Sequence, residues 1–238
     1  MTVLIAEDDP VYRSFIRDAI AESSLGPIEV LEASDGETSV ALALEGACDY
    51  IVLDLQLPRL SGVECARQIW AHRPQTRVLF WSNFGDEAYV RSLARIVPRE
   101  ASYGYLLKSS APERLRVAID GVFLDGQCII DREIRGIQAR AQGWREALND
   151  AEYDMLVDIS LGFTDQKIAE RHGLSTRGVQ SRLQKLYTKL GVLTEYSGAE
   201  AGAIAVFNPR TRAICVAILR GMINADLVKR AGQIEAAL

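Results

Sequence analysis

The chain has little of what disulfide frameworks, zinc sites and membrane spans require. Its 238 residues include four cysteines and two histidines. Cys48, Cys65, Cys128 and Cys215 are scattered, form no CxxC pair and have no clustered histidine beside them. Neither a zinc site nor a disulfide scaffold is indicated, and a reducing compartment is expected. No segment approaches the roughly 18 apolar residues a membrane span needs, and Val3-Leu4-Ile5-Ala6 follows no basic leader. A soluble, cytoplasmic protein is expected. Aromatics are only 7% of the residues, yet 48% are apolar and 25% charged, a composition that excludes disorder.

At about 150 residues per domain the length suggests two domains. The charge, net -5, is divided unevenly: residues 1–122 carry 12 basic and 18 acidic side chains, while residues 164–190 carry six basic and two acidic. An acidic half and a local basic patch are therefore expected to have different partners.

In the first half, short apolar runs alternate with amphipathic segments. Val3 to Ala6, Ile28 to Ala33, Tyr50 to Leu53, Arg77 to Trp81 and Gly104 to Leu107 read as buried strands. Pro10, Asp35, Ser61, Asp86 and Ala111 open the stretches between and after them with helix-start chemistry. The pattern predicts an α/β fold, a doubly wound (βα)5 parallel sheet over residues 1–122. Residues 123–147 read as a linker, with a turn at Asp125-Gly126 and a helix over Asp131 to Gln142. Residues 148–238 read as a smaller all-α domain.

Ligands of a parallel α/β sheet collect beyond the carboxyl ends of its strands. Here those ends carry Glu7-Asp8-Asp9, Asp54, Ser82 and Lys108. Carboxylates converging on one rim repel unless a divalent cation joins them, and hard oxygen donors suit Mg2+. Asp54, at the end of a rigid strand, is placed to act as a nucleophile toward phosphorus. Lys108 and Ser82 would then contact the phosphoryl oxygens.

These residues carry a resemblance. Glu7-Asp8, Asp54-Leu55-Gln56-Leu57-Pro58 with Ser61-Gly62, Ser82, and Gly104-Tyr105-Leu106-Leu107-Lys108 resemble the receiver domains of two-component response regulators. The resemblance implies that Asp54 is the phosphoacceptor and that a histidine kinase is the phosphodonor. It further implies that Glu7, Asp8, Asp54 and the backbone carbonyl of Gln56 surround Mg2+, and that Ser82 and Tyr105 form a switch pair. Asn83, and an insertion over Ile96 to Glu100, depart from the family pattern.

In the second half, Ser175 is a good N-cap, and Val179, Leu183, Leu186 and Leu190 recur on one helical face. The other side and its flanks carry Arg177, Gln180, Ser181, Arg182, Gln184, Lys185 and Lys189, groups suited to phosphates and base edges. With Lys167, Ser175 and Thr176 they are the candidate contacts to double-stranded DNA. Gly173-Leu174 separates this helix from Asp165 to His172, which describes a helix-turn-helix. Gly162 to Ala169, Leu174-Ser175, Val179 and Leu186 to Val192 resemble the LuxR-type DNA-binding domain, and the whole chain resembles the NarL/FixJ subfamily. That resemblance implies a homodimer when active, formed through a fourth helix matched by Thr211 to Ile223. Departures are Gly178, Gln180 and Arg182 in the third helix, an insertion at about 193–209 and an extension over 225–238.

Two other readings compete. An aspartyl-phosphate phosphatase would carry its nucleophile on the first strand in a DxD arrangement, which Glu7-Asp8-Asp9 lacks. A regulator acting through protein contacts would keep the helical domain without its grip on DNA. The reading preferred is a phosphorylated transcription regulator and not an enzyme.

Overall fold

The structure, a computed structural model, describes residues 1–143, 148–192 and 208–236. The chain divides into two compact units, residues 1–85 with 89–136 and residues 86–88 with 137–238. None of the described helices is long and apolar enough to cross a membrane.

In the first unit, strands β1 (Thr2–Ala6), β2 (Glu29–Ala33), β3 (Tyr50–Leu53), β4 (Arg77–Ser82) and β5 (Tyr103–Leu107) alternate with helices α1 (Pro10–Ala21), α2 (Gly36–Glu45), α3 (Gly62–His72), α4 (Glu87–Ile96) and α5 (Pro112–Ile119). The sheet order is β2-β1-β3-β4-β5-β6, with every neighbouring pair parallel. Helices cover both faces of such a sheet, which explains strands that are nearly continuous in apolar residues. Val3, Ile5, Val52, Leu79 and Leu106 pack with Ile16, Ile20, Leu115 and Ile119 on one face. Leu4, Ile51, Leu53 and Phe80 alternate with them and are fully buried. Helix starts follow the expected chemistry: the side chains of Asp9, Asp35 and Ser61 accept backbone N–H groups at the starts of α1, α2 and α3.

The sixth strand, β6 (Ile129–Ile130), lies where the sequence reads as a linker, and five strands are expected. Two residues are too short for any periodicity to register. Room for it comes from glycine: a Cβ on Gly121 would meet the Ile129 side chain at 2.4 Å, and one on Gly104 would meet the Ile129 carbonyl oxygen at 3.3 Å. Helix α6 (Arg132–Gly143) follows directly, close to the linking helix read from sequence.

The second unit holds α7 (Asp150–Ser160), α8 (Asp165–His172), α9 (Thr176–Lys189), α10 (Pro209–Leu219) and α11 (Ala225–Ala236). Its core joins Tyr153, Met155, Leu156, Ile168, Val179, Leu183, Leu186, Ala213 and Ala217. A capping box between Asn149 and Glu152 starts α7. Gly173, at φ +62°, ends α8 in the left-handed region, and Ser175 caps α9 by accepting from the Gly178 N–H at 3.1 Å. Most of the insertion after the third helix, residues 193–207, lies outside the described residues. The chain resumes at Asn208, which caps α10. The extension folds as α11, and its Leu227 packs against the helical core.

Candidate functional site

Glu7, Asp54, Ser82 and Lys108 stand where β1, β3, β4 and β5 end, so the parallel register itself brings them to one rim. Lys108 Nζ lies 2.8 Å from Asp54 Oδ2 and 2.7 Å from Glu7 Oε2, with all three side chains buried. Asp8 is exposed at the mouth, and carboxylate oxygens of Glu7, Asp8 and Asp54 lie within 4.8 Å of one another. Asp54 is further fixed by the Gln56 N–H, which donates to its Oδ1 at 3.2 Å. Gly62 is required beside it, because a Cβ there would sit 1.9 Å from the Asp54 carbonyl oxygen.

Burial pushes the Glu7 carboxyl up to about 7, the Asp54 charge adds to that, and Lys108 opposes it. Burial works against the Lys108 ammonium, but hydrogen bonding to Asp54 and Glu7 holds its pKa above the ordinary lysine value. When all three carboxylates are ionised, one ammonium leaves the rim short of two positive charges. An all-oxygen donor set with that deficit, open to water on the Asp8 side, fits a divalent cation such as Mg2+.

The other candidate residues lie close by. Ser82 is fully buried; its Oγ accepts the Phe84 N–H at 3.4 Å, and its carbonyl accepts the Lys108 N–H at 2.9 Å. Tyr105 is buried, and its hydroxyl donates to the Phe84 carbonyl at 2.7 Å. Two aromatic residues that the sequence reading omits also touch the site: Lys108 Nζ lies 4.3 Å from the centroid of Tyr12 and 5.4 Å from that of Trp81. The helical pattern of α1 assigns Tyr12 no chemistry, so only the packing of α1 against β4 reveals it.

The second candidate site is the polar side of α9. Val179, Leu183, Leu186 and Leu190 are buried, while Ser175, Thr176, Arg177, Gln180, Ser181, Arg182, Gln184 and Lys185 are exposed, as is Lys167 on α8. Lys189 stands apart from this set. It is half-buried, and its Nζ pairs with Glu152 at 2.7 Å. Gln180 Nε2 donates to Asp165 Oδ2 at 3.4 Å, and Arg210 pairs with the other oxygen of Asp165 at 2.8 Å. A cleft of about 420 Å3 lies between α9 and the start of α10, lined by Gln180, Gln184, Tyr187 and Arg210. Exposed Ile218 and Leu219 lie on α10.

Residues 3–120 match the response regulator receiver domain family. The chain is 28% identical over 231 residues to the uncharacterized transcriptional regulatory protein YxjL of Bacillus subtilis, covering 93% of this chain and 97% of that one. It resembles a solved two-component response regulator of the LuxR family from Aurantimonas sp. (27% identity, 58% of this chain and 94% of that one, TM-score 0.50). A structure of two RcsB dimers bound to two parallel DNAs shares the fold over 84% of this chain and 99% of that one, at 20% identity and a TM-score of 0.57. With the strand-end rim and a following helix-turn-helix both in place, residues 3–120 belong to the response regulator receiver domain family, and the chain as a whole is similar to transcriptional response regulators.

Proposed function

We propose that Asp54 accepts a phosphoryl group from a histidine kinase and that this controls DNA binding by the helical domain as a homodimer in the cytoplasm. The observation that carries the reading is the buried contact of Lys108 Nζ with both Asp54 and Glu7 at the strand ends. An Asp54 carboxylate oxygen attacks phosphorus as the bond to the donor's imidazole nitrogen breaks, and that nitrogen keeps the electron pair. Glu7, Asp8, Asp54 and the Gln56 carbonyl would hold Mg2+, which when bound offsets the charge on the phosphoryl oxygens. Lys108 exchanges its carboxylate partners for a phosphoryl oxygen, and the Ser82 hydroxyl serves another. Ser82 and Tyr105 shift toward the new anion and leave their contacts with Phe84, and the surface around Phe84 changes with them.

On the output side, α9 enters the major groove, with Lys167, Ser175, Thr176, Arg177, Gln180, Ser181, Arg182, Gln184 and Lys185 toward the duplex and Lys189 at the edge of that set. The exposed apolar residues of α10 support pairing of two copies, so the operator should be roughly palindromic. A second reading, regulation through protein contacts without DNA, draws on the pairing of Lys189 with Glu152 and of Gln180 with Asp165. A gel shift against genomic fragments, with and without acetyl phosphate, decides between them. The first step is tested by labelling with acetyl phosphate and Mg2+. Asp54→Asn abolishes the label, and undiminished labelling of that variant refutes the reading.

A further inference from the structure

The receiver family match ends at residue 120, yet a carboxylate beyond it braces the turn that carries Lys108. Asp131 lies between β6 and α6 and is 5% exposed. Its backbone is fixed on both sides: its N–H donates to the Tyr105 carbonyl at 3.0 Å, and its carbonyl accepts from the Arg135 N–H at 2.9 Å. Its side chain continues the ladder where β6 stops. Asp131 Oδ2 accepts the Leu107 N–H at 2.8 Å and the Ser110 hydroxyl at 2.6 Å. Oδ1 pairs with the half-exposed Arg114 at 2.7 Å.

Leu107 and Ser110 bracket Lys108, so one carboxylate ties down both sides of the turn while the Lys108 ammonium reaches the other way, to Glu7 and Asp54. Without Asp131 the Leu107 N–H would be a buried donor lacking its partner. The same short stretch reaches the other half of the rim. Ile134, in the first turn of α6, is fully buried, and its Cδ1 would lie 3.1 Å from a Cβ placed on Gly85. Gly85 follows Phe84, whose carbonyl takes the Tyr105 hydroxyl and whose N–H reaches Ser82.

We propose that Asp131 is a positioning residue for Lys108, so that phosphoryl transfer to Asp54 depends on the start of the linker being docked beside β5. The proposal rests on the phosphoacceptor reading above. Through the same contacts, a modification at Asp54 that draws Lys108 away would alter the hold of Asp131 on its turn, and with it the first turn of α6. The linker would thereby be part of the receiver's chemistry as well as its tether.

The test uses the full chain, acetyl phosphate and Mg2+. Asp131→Ala, its fold checked by circular dichroism, should be labelled about tenfold more slowly or worse, the scale expected when a catalytic group is misplaced by a fraction of an ångström. Amide exchange at Leu107 to Ser110 should rise with it. Asp131→Asn keeps a carbonyl oxygen for the Leu107 N–H and should recover most of the rate. Arg114→Ala removes only a half-exposed ion pair and should stay within about twofold of wild type. Equal labelling of wild type and Asp131→Ala overturns the proposal, as does an Arg114→Ala defect as large as that of Asp131→Ala. A wild-type chain that takes no label overturns the phosphoacceptor reading itself. Should Asp131→Ala fail to fold, Ser110→Ala decides: slower labelling supports the proposal and an unchanged rate overturns it.

Discussion

At the strand ends of the first unit the charged groups face one another in a buried rim, whereas on α9 they face water. In the rim each group is held by the others, and the sheet register leaves them no alternative position. On α9 the fold fixes only the buried face, and the polar face is shaped by whatever side chains from neighbouring elements reach it, as Glu152 reaches Lys189 and Asp165 reaches Gln180. A site built from convergent strand ends therefore carries its geometry with the fold. A site on the outer face of a helix carries only its composition, and its contacts are completed by a partner.

The sharpest way to break this contrast is to remove the ammonium that joins the rim. Lys108→Met leaves Glu7 and Asp54 facing each other inside the protein. Losing one partner of a buried charge set costs about 3 kcal/mol, and urea denaturation at pH 8 should show a loss of that size. Millimolar Mg2+ should restore part of it, because a ligand bound only by the folded state stabilises that state. An unchanged midpoint, indifferent to Mg2+, would show that the rim does not hold itself together by charge.

Among its described residues the helical unit also has a buried charge set, and it sharpens the comparison. Asp158, 2% exposed, meets His172 Nε2 at 2.6 Å and Arg171 Nε at 3.4 Å, and so ties α7 to the last turn of α8 just before Gly173. Asp158→Ala should cost about 2–3 kcal/mol, somewhat less than the rim lesion, because both partners can turn to water. Its effect on DNA should follow unfolding alone: where the domain remains folded, affinity should match wild type. A loss of DNA affinity in folded protein would mean that the turn geometry, and not only the exposed face of α9, is recognised.

Much of the rim was legible because strand ends are marked by where an apolar run stops. Tyr50 to Leu53 before Asp54, and Gly104 to Leu107 before Lys108, announce both the strand and the residue beyond it. Ser61-Gly62 was legible as a motif, but its reason, a backbone approach that leaves no room for a Cβ, depends on packing. β6 and Asp131 were not legible, since two apolar residues and one carboxylate in a stretch of balanced charge carry no periodic signal. On α9 the buried stripe followed from spacing. The pairing of Lys189 with Glu152 did not, because it requires the placement of α7 against α9, which no local pattern encodes.

That last pairing separates two lysines one helical turn apart. Lys185 is exposed on α9, whereas Lys189 is half-buried against Glu152. A lysine that neutralises a phosphate adds about one to the slope of log affinity against log salt. Lys185→Ala should flatten the slope by about that amount, weaken binding to all sequences alike and leave the melting temperature unchanged. Lys189→Ala should do the reverse, lowering the melting temperature slightly with little change in slope, because its ammonium already has an anionic partner within the domain. Salt-dependent titrations of the two variants against one duplex read the difference directly. Equal slopes for both would mean that Lys189 leaves Glu152 when DNA binds, and the polar face of α9 would then extend a full turn further than the unbound domain displays.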